Sequence, residues 1–526
     1  VKKIVLVTAA AAVAVSGGTA VAAAATTGGR AASAVSAVTG VKWGECAGSL
    51  KGQAECAQVQ VPLDHRKPNG RKISIAVSRV KATDRKNYQG VLLVNPGGPG
   101  GSGLAYSAGL KRWLTGVGHG AVAAKYDIIG FDPRGVGSSK PALSCDPNFQ
   151  NPIRPDYVPS SRKEEEAWKA KSRAYARACA QKFGWLLPHM RTTDVARDVD
   201  AIRAALGQKK INYYGFSYGT YLGATYATLF PQRVRRMVWD GNVNPKTVWY
   251  DAQLEQDKAF ERNIKLWFAW VAKYDSLYKL GKTGKAVEAK YYALRAAAKK
   301  SPIGGKIGPS ELDDIVLNAG YNTGYYIPFA QALSAWANKK DPAALLEFLN
   351  PGGDDNGFAV YNAVQAADAR WPRNWKVWHN DAVKLYKQGY RFNTWSNVWF
   401  NAPVAYWPFQ GGPALKLGAK KLPGLLLVQS TLDAATPVAG GYEMHKTFPS
   451  SRLVAELGGK THSNTLNGNK CLDDKVAAYL DSGRLPAGRR GADALCKAVP
   501  ALNDPNPTAV KSASAKAGKD LPVGRP

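Results

Sequence analysis

Three residues of this chain have the types and the order that nucleophilic acyl transfer requires. The stretch Ile211-Asn-Tyr-Tyr-Gly-Phe-Ser-Tyr-Gly-Thr-Tyr-Leu-Gly223 joins a short β-prone run to a Gly-x-Ser-x-Gly pentad, Gly215 to Gly219. A small-residue, helix-compatible segment follows over residues 220–230. Strand, tight turn and helix together make a nucleophile elbow, whose strain lifts the Ser217 hydroxyl clear of the sheet. Glycine on either side permits the close backbone approach. The pentad alone also suits an ordinary turn, so the chemistry rests on its partners: a base, and a carboxylate to orient the base.

Six histidines are available, His65, His119, His189, His379, His445 and His462, and three lie downstream of Ser217. His379 falls within a helical pattern. His445 sits on a helix-like segment, 441–447. His462 follows a strand-like run, 453–457, and two glycines, on a loop. His462 is the expected base, with His445 the alternative. The apolar run 424–429 leads into Ser430-Thr-Leu-Asp433, which makes Asp433, just past a strand end, the expected acid. Its bland reading is an Asx-turn or helix cap. Serine, acid, histidine, each on a loop after a strand, is the order this architecture uses.

An oxyanion hole needs two preorganised N–H donors. The Tyr218 N–H, directly after the nucleophile, is one. The other is expected from the glycine loop Asn95-Pro-Gly-Gly-Pro-Gly-Gly-Ser-Gly103, at Gly97 or alternatively Gly98. That loop lacks the Gly-Lys-Ser/Thr of a phosphate-binding loop, and its prolines and spacing do not fit a dinucleotide fingerprint. No His-x-x-x-His or clustered ligand set suggests a metal. No cofactor is expected.

The elements that must position these residues read as α/β: a mostly parallel central sheet flanked by helices, with a large helical cap insertion. Strand-like runs occupy residues 57–61, 73–80, 91–94, 126–131 and 234–240. Val195, Val199, Ile202 and Leu206 line one face of a helix over residues 192–206. Asp132 and Arg134 are read as fixing the turn of residues 132–139. Residues 247–405 carry helical stretches rich in Trp and Tyr before the sheet resumes. The expected organisation is a signal peptide (1–25), a leader (26–42), a core in two parts (43–245 and 411–503), the cap (246–410) and a disordered tail (504–526).

The signal peptide reading rests on Lys2 and Lys3, then an apolar run over residues 4–15, too short to span a bilayer. Export suits the six cysteines, Cys46, Cys56, Cys145, Cys179, Cys471 and Cys496. Nearest-neighbour disulfides, 46–56, 145–179 and 471–496, are expected. With 526 residues, 45% hydrophobic, the chain can bury a large core. The net charge of +32 is spread along the chain and accompanies no nucleic-acid-binding signature. It reads as a solvated cationic surface, without a nucleic-acid partner or stable membrane insertion.

At these residues the chain resembles the secreted tripeptidyl aminopeptidases of actinobacteria, α/β-hydrolases related to proline iminopeptidases. The matching stretches are Val61-Pro-Leu-Asp64, Asn95-Pro-Gly-Gly-Pro-Gly100, Gly130-Phe-Asp-Pro-Arg-Gly-Val-Gly137, Gly215-Phe-Ser-Tyr-Gly-Thr220 and Asp433-x-x-Thr-Pro437. The cysteine-containing segment after His462 also looks like that family's C-terminal region. The resemblance implies an α/β-hydrolase fold with a helical cap, and release of short peptides, typically tripeptides, from peptide or protein N-termini. It places Ser217, Asp433 and His462 on the family's triad, and Gly97 and Tyr218 on its oxyanion positions. Two departures stand out: His462 lies between Thr461 and Ser463 where relatives often have Gly-His-Gly, and Pro96 replaces the histidine that opens the loop in proline iminopeptidases.

An aminopeptidase must hold a substrate ammonium, which calls for carboxylates at the end of a pocket. Glu255, Asp257 and Glu261, early in the cap, are the candidates, against the plain reading of a solvated helix face. The competing activity is a secreted carboxylesterase with the same triad.

Overall fold

Strand order explains how residues so far apart in the chain reach one place. The computed structural model describes residues 40–349 and 354–508. The expected signal peptide, most of the leader and the tail beyond residue 508 lie outside the described residues. The strands are β1 (Gly44–Glu45), β2 (Glu55–Pro62), β3 (Lys72–Val80), β4 (Val91–Asn95), β5 (Asp127–Phe131), β6 (Ile211–Phe216), β7 (Val234–Asp240), β8 (Leu425–Ser430), β9 (Ser451–Leu457) and β10 (Ala494–Lys497). They form one sheet in the order β1-β2-β3-β5-β4-β6-β7-β8-β9-β10. The β1–β2, β2–β3 and β3–β5 pairings are antiparallel; every pairing from β5 to β10 is parallel.

The two parts of the sheet carry different residue patterns for a physical reason. β2 lies toward an antiparallel edge and alternates, with Val59 and Val61 buried and Gln58 and Gln60 exposed. β4, β5, β6 and β8 are buried at every position, as expected of parallel strands covered on both faces. Successive side chains still divide between two cores. Leu92, Val94, Tyr214, Phe216 and Val428 pack on one face. Leu93, Tyr213, Trp239, Leu427 and Leu453 pack on the other.

Helix α1 (Thr192–Ala205) buries Val195, Val199 and Ile202 at helical spacing and leads into β6. Helix α2 (Tyr218–Leu229) leaves β6 through Ser217 and is buried along nearly all its length. Between β7 and β8 the described residues contribute helices and no strand to the sheet. They include α3 (Tyr250–Lys273), α4 (Gly284–Lys300), α5 (Pro309–Tyr321), α6 (Asp355–Asp368) and α7 (Thr394–Asn401). Part of this segment has its own core, around Trp267, Val271, Leu312, Ile315 and Leu333. Helix α8 (Lys470–Ser482) lies between β9 and β10.

The cysteines pair as nearest neighbours, Cys46–Cys56, Cys145–Cys179 and Cys471–Cys496. Among the described residues no helix is long and apolar enough to cross a membrane. Most expected elements are present, with ends displaced by a few residues at most. The exceptions are β1 and β10, which sequence reading missed. β10 buries only Cys496 of its four residues, so it carries too little alternation to stand out.

Candidate active site

The elbow at Ser217 has the strained backbone its sequence implied. Ser217 has φ 56° and ψ −126°, a positive-φ conformation that costs a non-glycine residue free energy. Its surroundings hold it there. The Ser217 N–H donates to the Asp240 carbonyl at 2.9 Å, and the Thr220 hydroxyl donates to the Ser217 carbonyl at 2.7 Å. The flanking glycines are sterically required: a Cβ on Gly215 would lie 2.4 Å from the Gly219 carbonyl oxygen.

Asp433 is completely buried on the turn after β8. Its Oδ1 accepts from the Ala435 and Thr436 N–H groups, both at 2.9 Å, and its Oδ2 from the Thr436 hydroxyl at 2.8 Å. The same Oδ2 stands 2.8 Å from His462 Nδ1. A carboxylate can only accept here, so Nδ1 carries the proton and the lone pair belongs to Nε2.

His462 follows β9 on a tightly held loop. Ser463 and Leu466 on this loop both have positive φ, 54° and 57°. Asp240 accepts from the Thr465 N–H at 2.9 Å and from its hydroxyl at 2.5 Å. Buried Glu456 accepts from Ser430 Oγ at 2.7 Å, Asn464 Nδ2 at 2.9 Å and Asn469 Nδ2 at 2.8 Å, so one carboxylate links the acid and base loops.

The elbow and the base loop meet at one carbonyl. Asp240 O accepts from both the Ser217 N–H, at 2.9 Å, and the Ser463 hydroxyl, at 3.2 Å. Beside it, a Cβ on Gly241 would come within 3.0 Å of His462 Cε1 and 3.1 Å of Thr436 Oγ1. Ser217 and Thr436, the latter bonded to the Asp433–His462 pair, line the same cavity of about 190 Å³. The structure therefore brings together the three residues singled out from sequence. It puts the alternative base elsewhere: His445 bonds Ser451 Oγ at 2.7 Å and Asp493 at 3.3 Å.

The glycine loop packs directly on the elbow. Gly97 has φ 106°, and a Cβ there would lie 2.8 Å from Ser217 Cβ. Its own N–H, however, donates to Asn95 Oδ1 at 3.1 Å. Gly98, the alternative, lines the cavity with Ser217 and Tyr218. Tyr218 opens α2, where an N–H has no intrahelical acceptor. Asp132 steadies the loop, accepting from Ser102 Oγ at 2.6 Å and the Gly103 N–H at 2.9 Å. Arg134, fully buried, is held by Asp198 at 2.7 Å. Both act on structure, as their turn position suggested.

The three cap carboxylates separate by helix phase. Glu255 lines the cavity, together with Gln253 and Gln256 from the same helix. Asp257 and Glu261 do not: Asp257 lies one turn after Gln253, on the flank where α3 packs against Asn393 and Asn397, and Glu261 lies one turn further on. Asp257 accepts from Asn397 Nδ2 at 2.9 Å and Asn393 Nδ2 at 3.2 Å, behind the cavity wall. Burial raises its carboxyl to about 8. Glu261 accepts the Arg391 and Phe392 N–H groups, both at 2.8 Å, and pairs with Lys265. Sequence reading also missed Asp314, which lines the cavity but is paired with Arg154 at 2.5 Å. No pattern in its helix marks it. Glu255 accepts only weak bonds, from Thr247 Oγ1 at 3.3 Å and Asn244 Nδ2 at 3.5 Å, and burial raises its carboxyl above the ordinary value.

Such an elbow, with an acid–histidine pair on the loops after later parallel strands, defines an α/β-hydrolase. Residues 90–296 match the model of the alpha/beta hydrolase fold, and residues 390–496 match that of the TAP-like protein, which begins within the last helices before β8. The chain belongs to the tripeptidyl aminopeptidase family within that fold. It is 43% identical over 475 residues to the tripeptidyl aminopeptidase of Streptomyces lividans, covering 87% of each chain. It is 32% identical to the serine protease Hip1 of Mycobacterium tuberculosis, covering 85% of this chain and 89% of that one. A carboxylesterase B of the same species is 30% identical, covering 82% and 85%.

Proposed function

We propose that the chain is a secreted serine exopeptidase that releases short peptides, tripeptides foremost, from free N-termini. Ser217 is the nucleophile. His462 Nε2 takes the hydroxyl proton as Oγ bonds to the scissile carbonyl carbon, and Asp433 steadies the imidazolium that forms. The developing oxyanion is met by the N–H groups of Tyr218 and Gly98. His462 then gives the proton to the leaving amine, the carbon–nitrogen bond breaks, and an acyl-enzyme remains on Ser217. Water, deprotonated by the same histidine, releases the peptide.

The observation that carries the substrate reading is the cavity lining. Asn244, Gln253, Gln256, Gln365, Asn393 and Asn397 are among the residues that line it. Carboxamides both donate and accept, which suits the N–H and C=O groups of a peptide and wastes polar surface on an acyl chain. Glu255 adds one carboxylate that pairs with no lysine or arginine among the described residues. It is the assigned partner for the substrate ammonium. The helices between β7 and β8 act as the cap that supplies this lining. Export is supported by the three disulfides and by the lysine-led apolar N-terminus.

The test compares a tripeptide carrying a chromogenic leaving amine with its N-acetylated twin and with a simple acyl ester. Cleavage restricted to the free-amine tripeptide is expected. The similarity to carboxylesterase B favours one second reading, an esterase with the same triad. Equal turnover of the acetylated peptide, or a strong preference for the ester, would establish that reading instead.

A further inference from the structure

Parallel strands place all their C-terminal ends on one edge of a sheet and their N-terminal ends on the other. Ser217, Asp433 and His462 follow the C-terminal ends of β6, β8 and β9. The opposite edge is cationic. The chain enters β4 after Lys86, β6 directly after Lys209 and Lys210, and β7 through Arg235 and Arg236; Arg484 follows the end of α8.

These residues share one surface. Gln89 Oε1 accepts from Arg235 Nη2 at 2.5 Å and Arg236 Nη1 at 3.3 Å, joining the start of β4 to β7. Arg236 Nη1 also donates to Tyr126 Oη at 3.1 Å and to the Asp481 carbonyl at 3.2 Å, reaching the end of α8. A Cβ on Gly90 would lie 3.7 Å from Gln208 Oε1 and 3.8 Å from Arg235 Nη1, which brings in the turn before β6. A Cβ on Gly483 would lie 3.4 Å from Arg236 Nε, which brings in Arg484.

The carboxylates at this edge are already engaged. Asp127 pairs with Arg85 and bonds Tyr88, Asp200 pairs with Arg203 and Arg233, Asp481 pairs with Lys125, and Asp84 bonds Asn87. Lys86, Lys209, Lys210 and Arg484 are exposed and make no ion pair among the described residues. Arg235 and Arg236 bond to neutral oxygens, so their charge is not cancelled.

β4, β6 and β7 are consecutive in the sheet. Adjacent strands lie about 5 Å apart, so cations recur across the edge at a spacing on the order of that between neighbouring phosphates in a linear polymer. Among the described residues no exposed aromatic ring is interleaved with them to stack on a base. Tyr88 is half-buried, beneath Arg85 at 5.0 Å. We propose that this edge is a docking face for a linear polyphosphodiester, held through its phosphates and not through bases. The catalytic edge faces away and stays open to peptide. The proposal does not depend on the peptidase reading.

The test uses the full chain and a long abasic deoxyribose-phosphate oligomer, a base-free polyphosphodiester, with binding measured across a salt titration. The triple variant Lys209→Glu, Lys210→Glu, Arg484→Glu is compared with Lys285→Glu, Lys290→Glu, Lys306→Glu, an equal charge change on exposed lysines of the helical segment. At about 100 mM salt the first variant should bind at least tenfold more weakly. Its slope of log K against log salt should fall by roughly 2, for three lost phosphate contacts. The second variant should stay near the parent, and both should hydrolyse peptide at the parental rate. Equal loss in both variants would mean attraction to net charge without a face, and would overturn the proposal. So would undetectable binding by the parent. A single-stranded oligonucleotide of matched length that binds much more tightly than the abasic oligomer would overturn the base-free assignment.

Discussion

The main-chain N–H of His462 donates to the carbonyl of Tyr321 at 2.8 Å. Tyr321 is the last residue of α5, so the base loop hangs from a helix of the segment inserted between β7 and β8. Asn263 on α3 makes a second tie. Its Nδ2 donates to the Leu432 carbonyl beside Asp433 at 2.8 Å, and to the Gly320 carbonyl at 3.1 Å. Arg262 Nη2 adds bonds to Leu432 O at 2.7 Å and Asp433 O at 3.2 Å. The inserted helices are therefore part of the frame that holds the acid and the base.

Replacing Asn263 with alanine should test that frame. The acid loop would lose a fixed point without losing any reacting group. Turnover should fall about tenfold or more through misorientation, with KM nearly unchanged. A change confined to KM would show that Asn263 serves substrate binding instead.

The proposed triad makes a sharp demand on two variants. Ser217→Ala should lose peptide hydrolysis and covalent labelling by a fluorophosphonate together. Asp433→Asn should keep the fold but lower turnover by about 10⁴, because the wrong imidazole tautomer is then held. Labelling that persists in Ser217→Ala would remove Ser217 from the mechanism.

Glu255 should make recognition of the free N-terminus depend on pH. Burial raises its carboxyl above the ordinary value, so it protonates earlier than an exposed glutamate as pH falls. An ammonium then loses its partner. The preference for the free-amine tripeptide over its acetylated twin should shrink on acidification. Glu255→Gln should show a small preference at every pH. A full preference retained in Glu255→Gln would place the ammonium elsewhere.

Asp257 gives a stability test with a definite sign. Its carboxyl sits at about 8 in the folded chain against an ordinary value of 3.8. Between those values the folded protein holds a proton that the unfolded chain has released. Stability must therefore fall as pH rises through that window. Asp257→Asn keeps an acceptor for Asn393 and Asn397 and has no proton to lose. Its melting midpoint, compared with the parent, should improve from pH 5 to pH 8. A parallel pair of stability curves would refute the assignment.

Gly97→Ala tests the close approach of the glycine loop. The added Cβ would lie 2.6 Å from the Phe216 carbonyl oxygen, at a φ that alanine avoids. Hydrolysis should drop about a hundredfold or more. Gly116→Ala, where a Cβ meets nothing within 4 Å, should leave it intact.

Ser217, Asp433 and His462, the proposed triad, could be picked out because each follows a strand-like run that the structure places in the sheet. Their order along the chain did the rest. Glu255, Asp257 and Glu261 could not be separated in the same way. Which side of α3 meets the cavity depends on how the helix packs, and its sequence is mixed on both sides. Gly97 and Gly98 are equivalent as letters. They differ only once the Asn95 side chain takes one of the two N–H groups. β10 escaped notice because four residues with one buried side chain carry almost no period.

The pairing of Val238 with Leu426 has a consequence for the cell that makes the enzyme. A growing polypeptide acquires its serine long before the strands that deliver Asp433 and His462 exist. Until β8 and β9 have been synthesised and have docked beside β7, the elbow lacks the acid and the base proposed for it. The long excursion through the inserted helices thus works as a timer. On the proposed triad, hydrolytic power appears only when nearly the whole polypeptide is finished.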